Sequence, residues 1–460
     1  MLLDYAETDW LGSRPVFYNT KTGAISHNIN EVIDYSNFAF HPEGVRNYLS
    51  FGYTVMGQTM IQNVKSLRWD ASIRKNEDGK LIIEEHADSA EKLYDKNIKN
   101  GRDVFDEIRQ DVVRFAGDVS GKIILPLSAG LDSRLMALGC SEGGKDKTYA
   151  FSYGVSARQW DSFEVVKASM VAEKCGIQWQ HIPLTHYYDM LDKWYCLYGP
   201  SVHLHGMYQM EFYEKIMGRF TPKDKLSLCS GIIGDAWSGS VRIETINSPY
   251  ELSKMGYTHG MCVEDDVCLL KENHDIAEAF YEQNKDKLKE ENWRIIYAMR
   301  FKIMLLHYLL HTPRSMGMDV YSPFIKEDIA MDIVNLSWEE KAGRKWEHVC
   351  FQEEDIDYGW LKKICDYNTC LEMNVLRNIP LPPLNVDLLR QVIEPSYVES
   401  VNKLVSTRPW RGIHAKPRTL PNLYNKSVNW HNSSIKKAVN RYKVLGAIQK
   451  LLEDVERHTT

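Results

Sequence analysis

The chain of 460 residues is 44% hydrophobic and 26% charged, enough for two or three domains with ordinary buried cores. A formal net charge of −6 at pH 7 leaves no electrostatic case for nucleic acid as the main partner, and the longest apolar run, around Ile303-Met304-Leu305-Leu306, stops at His307, well short of the ~20 residues of a membrane span. Nine cysteines, an odd number without a Cys-x-x-Cys pair, argue against a disulfide framework or a zinc site and for a reducing, cytoplasmic setting.

At the start of the chain, Asp4 and Glu7 stand where a secretion signal needs a basic start and an uninterrupted apolar core, so no such signal is expected. Pro15 to Tyr18 and Ala24 to Ser26 read as short strands about a polar turn at Gly23, and His41 to Leu49 as a short helix. Leu67 to Ile73 and Leu81 to Glu84 flank Asn76-Glu77-Asp78-Gly79, whose Asp-Gly step predicts a hairpin. Together these make a small α+β domain over residues 1–97, with a polar linker from Ala87 to Asn100 at its end. Val104, Phe105, Ile108, Val112 and Phe115 then recur at helical spacing.

Strand, tight loop and helix follow in Ile123-Ile124-Leu125-Pro126-Leu127-Ser128-Ala129-Gly130-Leu131-Asp132-Ser133. Small side chains at Ser128, Ala129 and Gly130 let backbone N–H groups approach a ligand where the dipole of the next helix is positive, which favours phosphate. Asp132 and Ser133 add a carboxylate and a hydroxyl in the first turn, and an acid beside bound phosphate acts by sharing Mg²⁺ with it. Neither Gly-x-x-x-x-Gly-Lys-Ser/Thr nor Gly-x-Gly-x-x-Gly after a strand is present. Strands at Thr148 to Tyr153, Gln178 to Ile182 and Leu226 to Cys229 alternate with a helix from Asp161 to Lys174 and helices between Tyr187 and Met217. Such alternation predicts a parallel sheet with helices on both faces and ligands at the carboxyl ends of its strands. Leu226-Ser227-Leu228-Cys229-Ser230-Gly231-Ile232-Ile233-Gly234-Asp235 repeats the pattern of apolar strand, small residues and acid about 100 residues after the first loop. His203 and His205 precede a helix, and metal binding there lacks identifiable further ligands. The basic stretch from Arg408-Pro409-Trp410-Arg411 to Lys416-Pro417-Arg418 reads as a solvated or substrate-facing surface, and Ser434 to Val455 as an amphipathic packing helix.

Ser128 to Ser133 resembles the pyrophosphatase loop Ser-Gly-Gly-Leu-Asp-Ser of the class B asparagine synthetase family, with Ala129 in place of its first Gly. Should that position need a positive φ, Ala129 would cost about 1 kcal/mol. Ser230, Gly231 and Asp235 resemble the family's Ser-Gly-x-Gly-x-Asp-Glu, with Ile232 where asparagine-forming members carry a catalytic Glu and Ala236 in place of the last Glu. Phe151-Ser152-Tyr153-Gly154 resembles the end of the second strand, which touches adenine, with Asp161 either a further acid of that site or an N-cap. Gly317 to Phe324 resembles Gly-Val-Glu-x-Arg-x-Pro-Phe, with Tyr321 for Arg, and is expected to pack the helical half against the nucleotide half. Gly12-Ser13-Arg14-Pro15-Val16-Phe17-Tyr18 resembles a Gly-x-x-Pro-Leu-x-Tyr strand of the glutaminase domain, whose nucleophile is an N-terminal cysteine. Leu2 occupies that place and no cysteine precedes Cys140.

The resemblance implies a fold and a chemistry. The fold is an ATP-pyrophosphatase, Rossmann-like α/β domain over residues 98–345, behind a truncated glutaminase-like domain (1–97) and ahead of a mainly helical region (346–460) that completes the substrate side. The chemistry is adenylation of a small-molecule carboxylate by ATP and amide formation with ammonia or an amine, the ammonia coming from solution or a separate subunit. Leu127, Ser128, Ala129, Gly130, Leu131, Asp132, Ser133, Tyr153, Gly154, Ser230 and Gly231 would hold the nucleotide, Asp132 and Asp235 the Mg²⁺, and His203 and His205 the substrate. Arg377 and Lys416 are the candidates for the family's charge-neutralising lysine. Sulfur or nitrogen transfer by a pyrophosphatase-loop protein, and nucleotide binding without catalysis, are the alternatives.

Overall fold

A computed structural model describes residues 1–94, 99–256, 258, 260–358, 369–413 and 420–459. Eleven strands are formed among them: β1 (Tyr5–Thr8), β2 (Phe17–Asn19), β3 (Ile25–Ser26), β4 (Val64–Ser66), β5 (Ala71–Lys75), β6 (Leu81–Glu85), β7 (Lys122–Pro126), β8 (Thr148–Ser152), β9 (Gln178–His181), β10 (Leu226–Cys229) and β11 (Asp319–Tyr321). The first six build two antiparallel three-stranded sheets, ordered β1-β5-β6 and β3-β2-β4. The Asp-Gly hairpin forms as expected, with Gly79 at φ 76° and its N–H donating to the Asn76 carbonyl at 2.9 Å. The single strand expected from Leu67 to Ile73 does not form. Asp70 adopts φ 46° and kinks the chain, so β4 ends at Ser66 in one sheet and β5 begins at Ala71 in the other. The helix expected at 41–49 spans Pro42–Phe51, started by His41, whose ring accepts from the Gly44 N–H, and stopped by left-handed Gly52.

β7 to β11 form one parallel sheet in the order β11-β10-β7-β8-β9. β7 is central, and Ile123, Ile124 and Leu125 are 0% exposed, as befits a strand covered on both faces. From β7 the chain steps through β8 to the β9 edge, then crosses back to β10 on the other flank of β7 and on to β11. With right-handed crossovers, that reversal puts the Leu131–Gly144 and Phe163–Cys175 helices on one face and Met207–Met217 on the other. It also leaves a topological switch between the carboxyl ends of β7 and β10, the place where open α/β sheets bind ligands.

Two expectations need correction. The stretch read as a linker is anchored in its described part: Ala90–Leu93 is helical, and Asp88 makes two bonds of 2.7 Å to Arg300 on the Glu291–Leu306 helix. Gly317 to Phe324 supplies the sheet edge β11, paired in register Ser227↔Asp319 through Cys229↔Tyr321, besides packing through Phe324, whose carbonyl accepts from Trp237 Nε1 at 3.0 Å. Beyond residue 345 the described elements are helices, at Lys345–Glu353, Leu371–Asn378, Val386–Leu389, Pro395–Val405 and Leu420–Thr459. No helix among the described residues is long and apolar enough to cross a membrane.

Candidate functional site

The loop after β7 is shaped by its own hydroxyls. Ser133 Oγ accepts from the Ser128 N–H at 3.1 Å, and Ser128 Oγ accepts from the Gly130 N–H at 3.0 Å. Gly130 is the N-cap of the Leu131–Gly144 helix and makes no side-chain cap bond, so the positive end of this helix opens at the loop. Ser128 and Gly130 are exposed. Ala129 is absent from the left-handed region, so the Gly-to-Ala difference carries no backbone strain. Arg134, 2% exposed, reaches back to the Gly130 carbonyl at 3.3 Å and also holds the Ile356 carbonyl and the Asp357 carboxylate.

The loop after β10 lies directly against this one. The Asp235 N–H donates to Asp132 Oδ2 at 3.1 Å, so a backbone donor of one strand end holds the carboxylate of the other. The approach is too close for side chains: a Cβ on Gly234 would lie 2.7 Å from Asp132 Cγ, and one on Gly231 2.8 Å from Asp132 Cβ. Ile233 between them sits at φ 57°, a strained setting for a β-branched residue. Ser230 is fixed by its N–H to the Tyr321 carbonyl at 2.9 Å, and its Oγ accepts from the Ile232 N–H at 3.3 Å. Asp235 is exposed, whereas the Asp132 side chain is 15% exposed.

Burial pushes the Asp132 carboxyl up, and Asp235 adds to the shift while Arg344 opposes it. Arg344 pairs with Asp132 and holds Glu347 at 2.6 Å; Glu347 is 0% exposed and is likewise pushed up by burial against the pull of Arg344. Lys302 is 4% exposed and lowered to about 8 by burial, with Asp235 acting against the shift. Arg344, Glu347, Arg134 and Lys302 carried no motif in the sequence. Arg134 was the one cation of its helical stretch, Lys302 shared its helix with Arg294 and Arg300, and for Arg344 there was no signal.

Neither the family models nor the curated proteins match the sequence.

The other expected residues divide. Tyr153 and Gly154 follow β8, tied to the loop because Ser152 Oγ donates to the Leu127 carbonyl at 2.6 Å. The Tyr153 ring packs edge-on to Phe212 at 5.3 Å, and burial raises its phenol well above the usual value. Asp161 pairs with Arg158 at 3.1 Å, and Ser162 takes the N-cap position of the next helix. His203 and His205 stand edge to face at 5.3 Å, with Tyr208 at 5.6 Å and Tyr308 at 6.2 Å from the His205 ring. His203 is 1% exposed and, chiefly through burial, held well below the usual imidazole range, so it is a neutral group. Its backbone N–H donates to the Gly52 carbonyl at 2.9 Å. Among the described residues no cluster of three or more His, Cys, Asp or Glu is arranged to hold a metal. Arg377 donates to the Pro409 carbonyl at 2.8 Å and lines a cleft of about 270 Å³ with Gln159, Leu184, Thr185, Asn374 and Arg411. Lys416 lies outside the described residues.

Proposed function

We propose that the chain is an ATP-dependent, AMP-forming carbon–nitrogen ligase of the asparagine synthetase type: it adenylates a carboxylate and passes the acyl group to ammonia or an amine. The observation that carries this reading is the meeting of Asp132 and Asp235 at the switch of the sheet, beside an uncapped helix N-terminus, with the Asp235 N–H 3.1 Å from Asp132 Oδ2. Phosphate held there faces backbone donors and two acids from different strands.

The residues fit Mg²⁺ bound together with phosphate. Two carboxylates, with no third His, Cys, Asp or Glu grouped with them among the described residues, suit an ion that keeps waters and takes its remaining ligands from the nucleotide. Mg²⁺ so held would neutralise charge on the departing pyrophosphate. Asp132 and Asp235 are then its ligands, Leu127 to Ser133 with Ser230 and Gly231 the phosphate cradle, and Tyr153 and Gly154 the base side. In this reading the parallel sheet is an ATP-pyrophosphatase domain, and His203 and His205 belong to the acceptor side. Ile232 in place of Glu points away from asparagine as the product.

The test is product analysis with panels of carboxylates and amines and MgATP. AMP and pyrophosphate are the expected products; ADP and orthophosphate would refute the reading.

A further inference from the structure

We propose that Arg344 is the pyrophosphate-gripping residue of this site, resting on the nucleotide reading above. Arg344 is a non-glycine residue held at φ 59°, directly after Gly343 at φ 62°. Left-handed backbone at a residue with a Cβ is strained and persists only where the surroundings enforce it. Here the enforcing partners are two carboxylates sharing one guanidinium. Glu347, 0% exposed, takes Nη2 at 2.6 Å and is paired with Nε as well, which fixes the guanidinium plane. Asp132 takes the same Nη2 from the phosphate loop.

The two partners differ in what binding does to them. Glu347 is fully buried beneath Arg344 and stays paired with it. Asp132 would be shared with Mg²⁺ when nucleotide is bound, and the guanidinium edge it now occupies would then be free for the oxygens of the pyrophosphate moiety. A planar fork suits two phosphate oxygens. As the substrate carboxylate oxygen bonds to the α-phosphorus, the bond from that phosphorus to the bridging oxygen breaks. Its electron pair goes to pyrophosphate, and the added charge falls beside Arg344.

Calorimetry on the full chain tests this without turnover, using magnesium pyrophosphate and AMP as separate probes. Arg344→Gln is expected to weaken magnesium pyrophosphate binding about 10- to 100-fold, the worth of a charged hydrogen-bonded contact, and to leave AMP binding unchanged. Arg344→Lys should recover part of the loss, because it restores the charge without the fork. Equal pyrophosphate affinity in wild type and Arg344→Gln would overturn the assignment and leave the nucleotide reading standing. Loss of AMP binding in both variants would make Arg344 a structural residue and overturn it as well. Binding of neither probe by the wild type would remove the nucleotide reading itself.

Discussion

Asp132 is confined from three sides: by Arg344, by the Asp235 N–H and by the bare α-carbons of Gly231 and Gly234. Gly234→Ala is therefore expected to act through Asp132 and not through backbone freedom, since Gly234 lies outside the left-handed region. A methyl 2.7 Å from the Asp132 carboxylate carbon must displace it. Denaturant unfolding should show a loss of about 1–3 kcal/mol, as for other overpacked sites, and calorimetry a loss of magnesium nucleotide binding. Normal binding by Gly234→Ala would show that the Asp132 position is immaterial. At this scale the sequence was informative where chemistry and spacing coincide, at Ser128, Asp132, Ser230 and Asp235. It was silent on Arg344, because an ion pair across 212 residues leaves no local pattern. It also raised a question at Ala129 that the backbone answers: the position needs no positive φ.

Among elements, the join between residues 87–94 and the Glu291–Leu306 helix includes a buried ion pair, besides the Tyr94 ring 5.1 Å from Trp293. Arg300 is 0% and Asp88 10% exposed, and the Arg300 guanidinium lies 4.5 Å from the Trp69 ring centre. Asp88→Asn removes the charge that balances Arg300 and should cost about 3–5 kcal/mol. Burial works to raise the Asp88 carboxyl, yet its bonds to Arg300 outweigh burial and hold it below its ordinary 3.8. A depressed carboxylate contributes stability above its unfolded pKa and loses it as pH falls through the folded value. The wild type should therefore weaken as pH drops below about 3.8, with a smaller drop in Asp88→Asn. Thermal melts of both proteins from pH 6 to pH 2.5 measure this, and parallel curves would exclude Asp88 as a source. The same region shows why short elements were harder to read than the parallel sheet. β7 and β10 announce themselves as apolar runs, whereas the Asp70 kink that splits β4 from β5 depends on which sheet each half joins. Residues 87–94 looked like a tether because the sequence does not reveal that Asp88 faces a buried arginine.

For the whole molecule, the expectation carried from the sequence is that the N-terminal sheets, in which no cysteine stands, do not hydrolyse glutamine. The first cysteine, Cys140, is 0% exposed in the helix that follows the Ser128–Ser133 loop. The 460-residue chain incubated with glutamine and MgATP should release no glutamate in an enzymatic assay; steady ATP-dependent release would contradict this. What the N-terminal region does instead is meet the last helix. Tyr35 stacks on His458 at 4.4 Å, and Tyr48, 0% exposed, donates its hydroxyl to the Val444 carbonyl across 396 residues. That contact has a consequence for biosynthesis. An early segment waits for a late one: at ~5–20 residues per second, Tyr48 is made on the order of 20–80 s before Val444 of the helix that covers it. Over that interval Tyr48 and its apolar neighbours lack the helix that covers them in the folded chain.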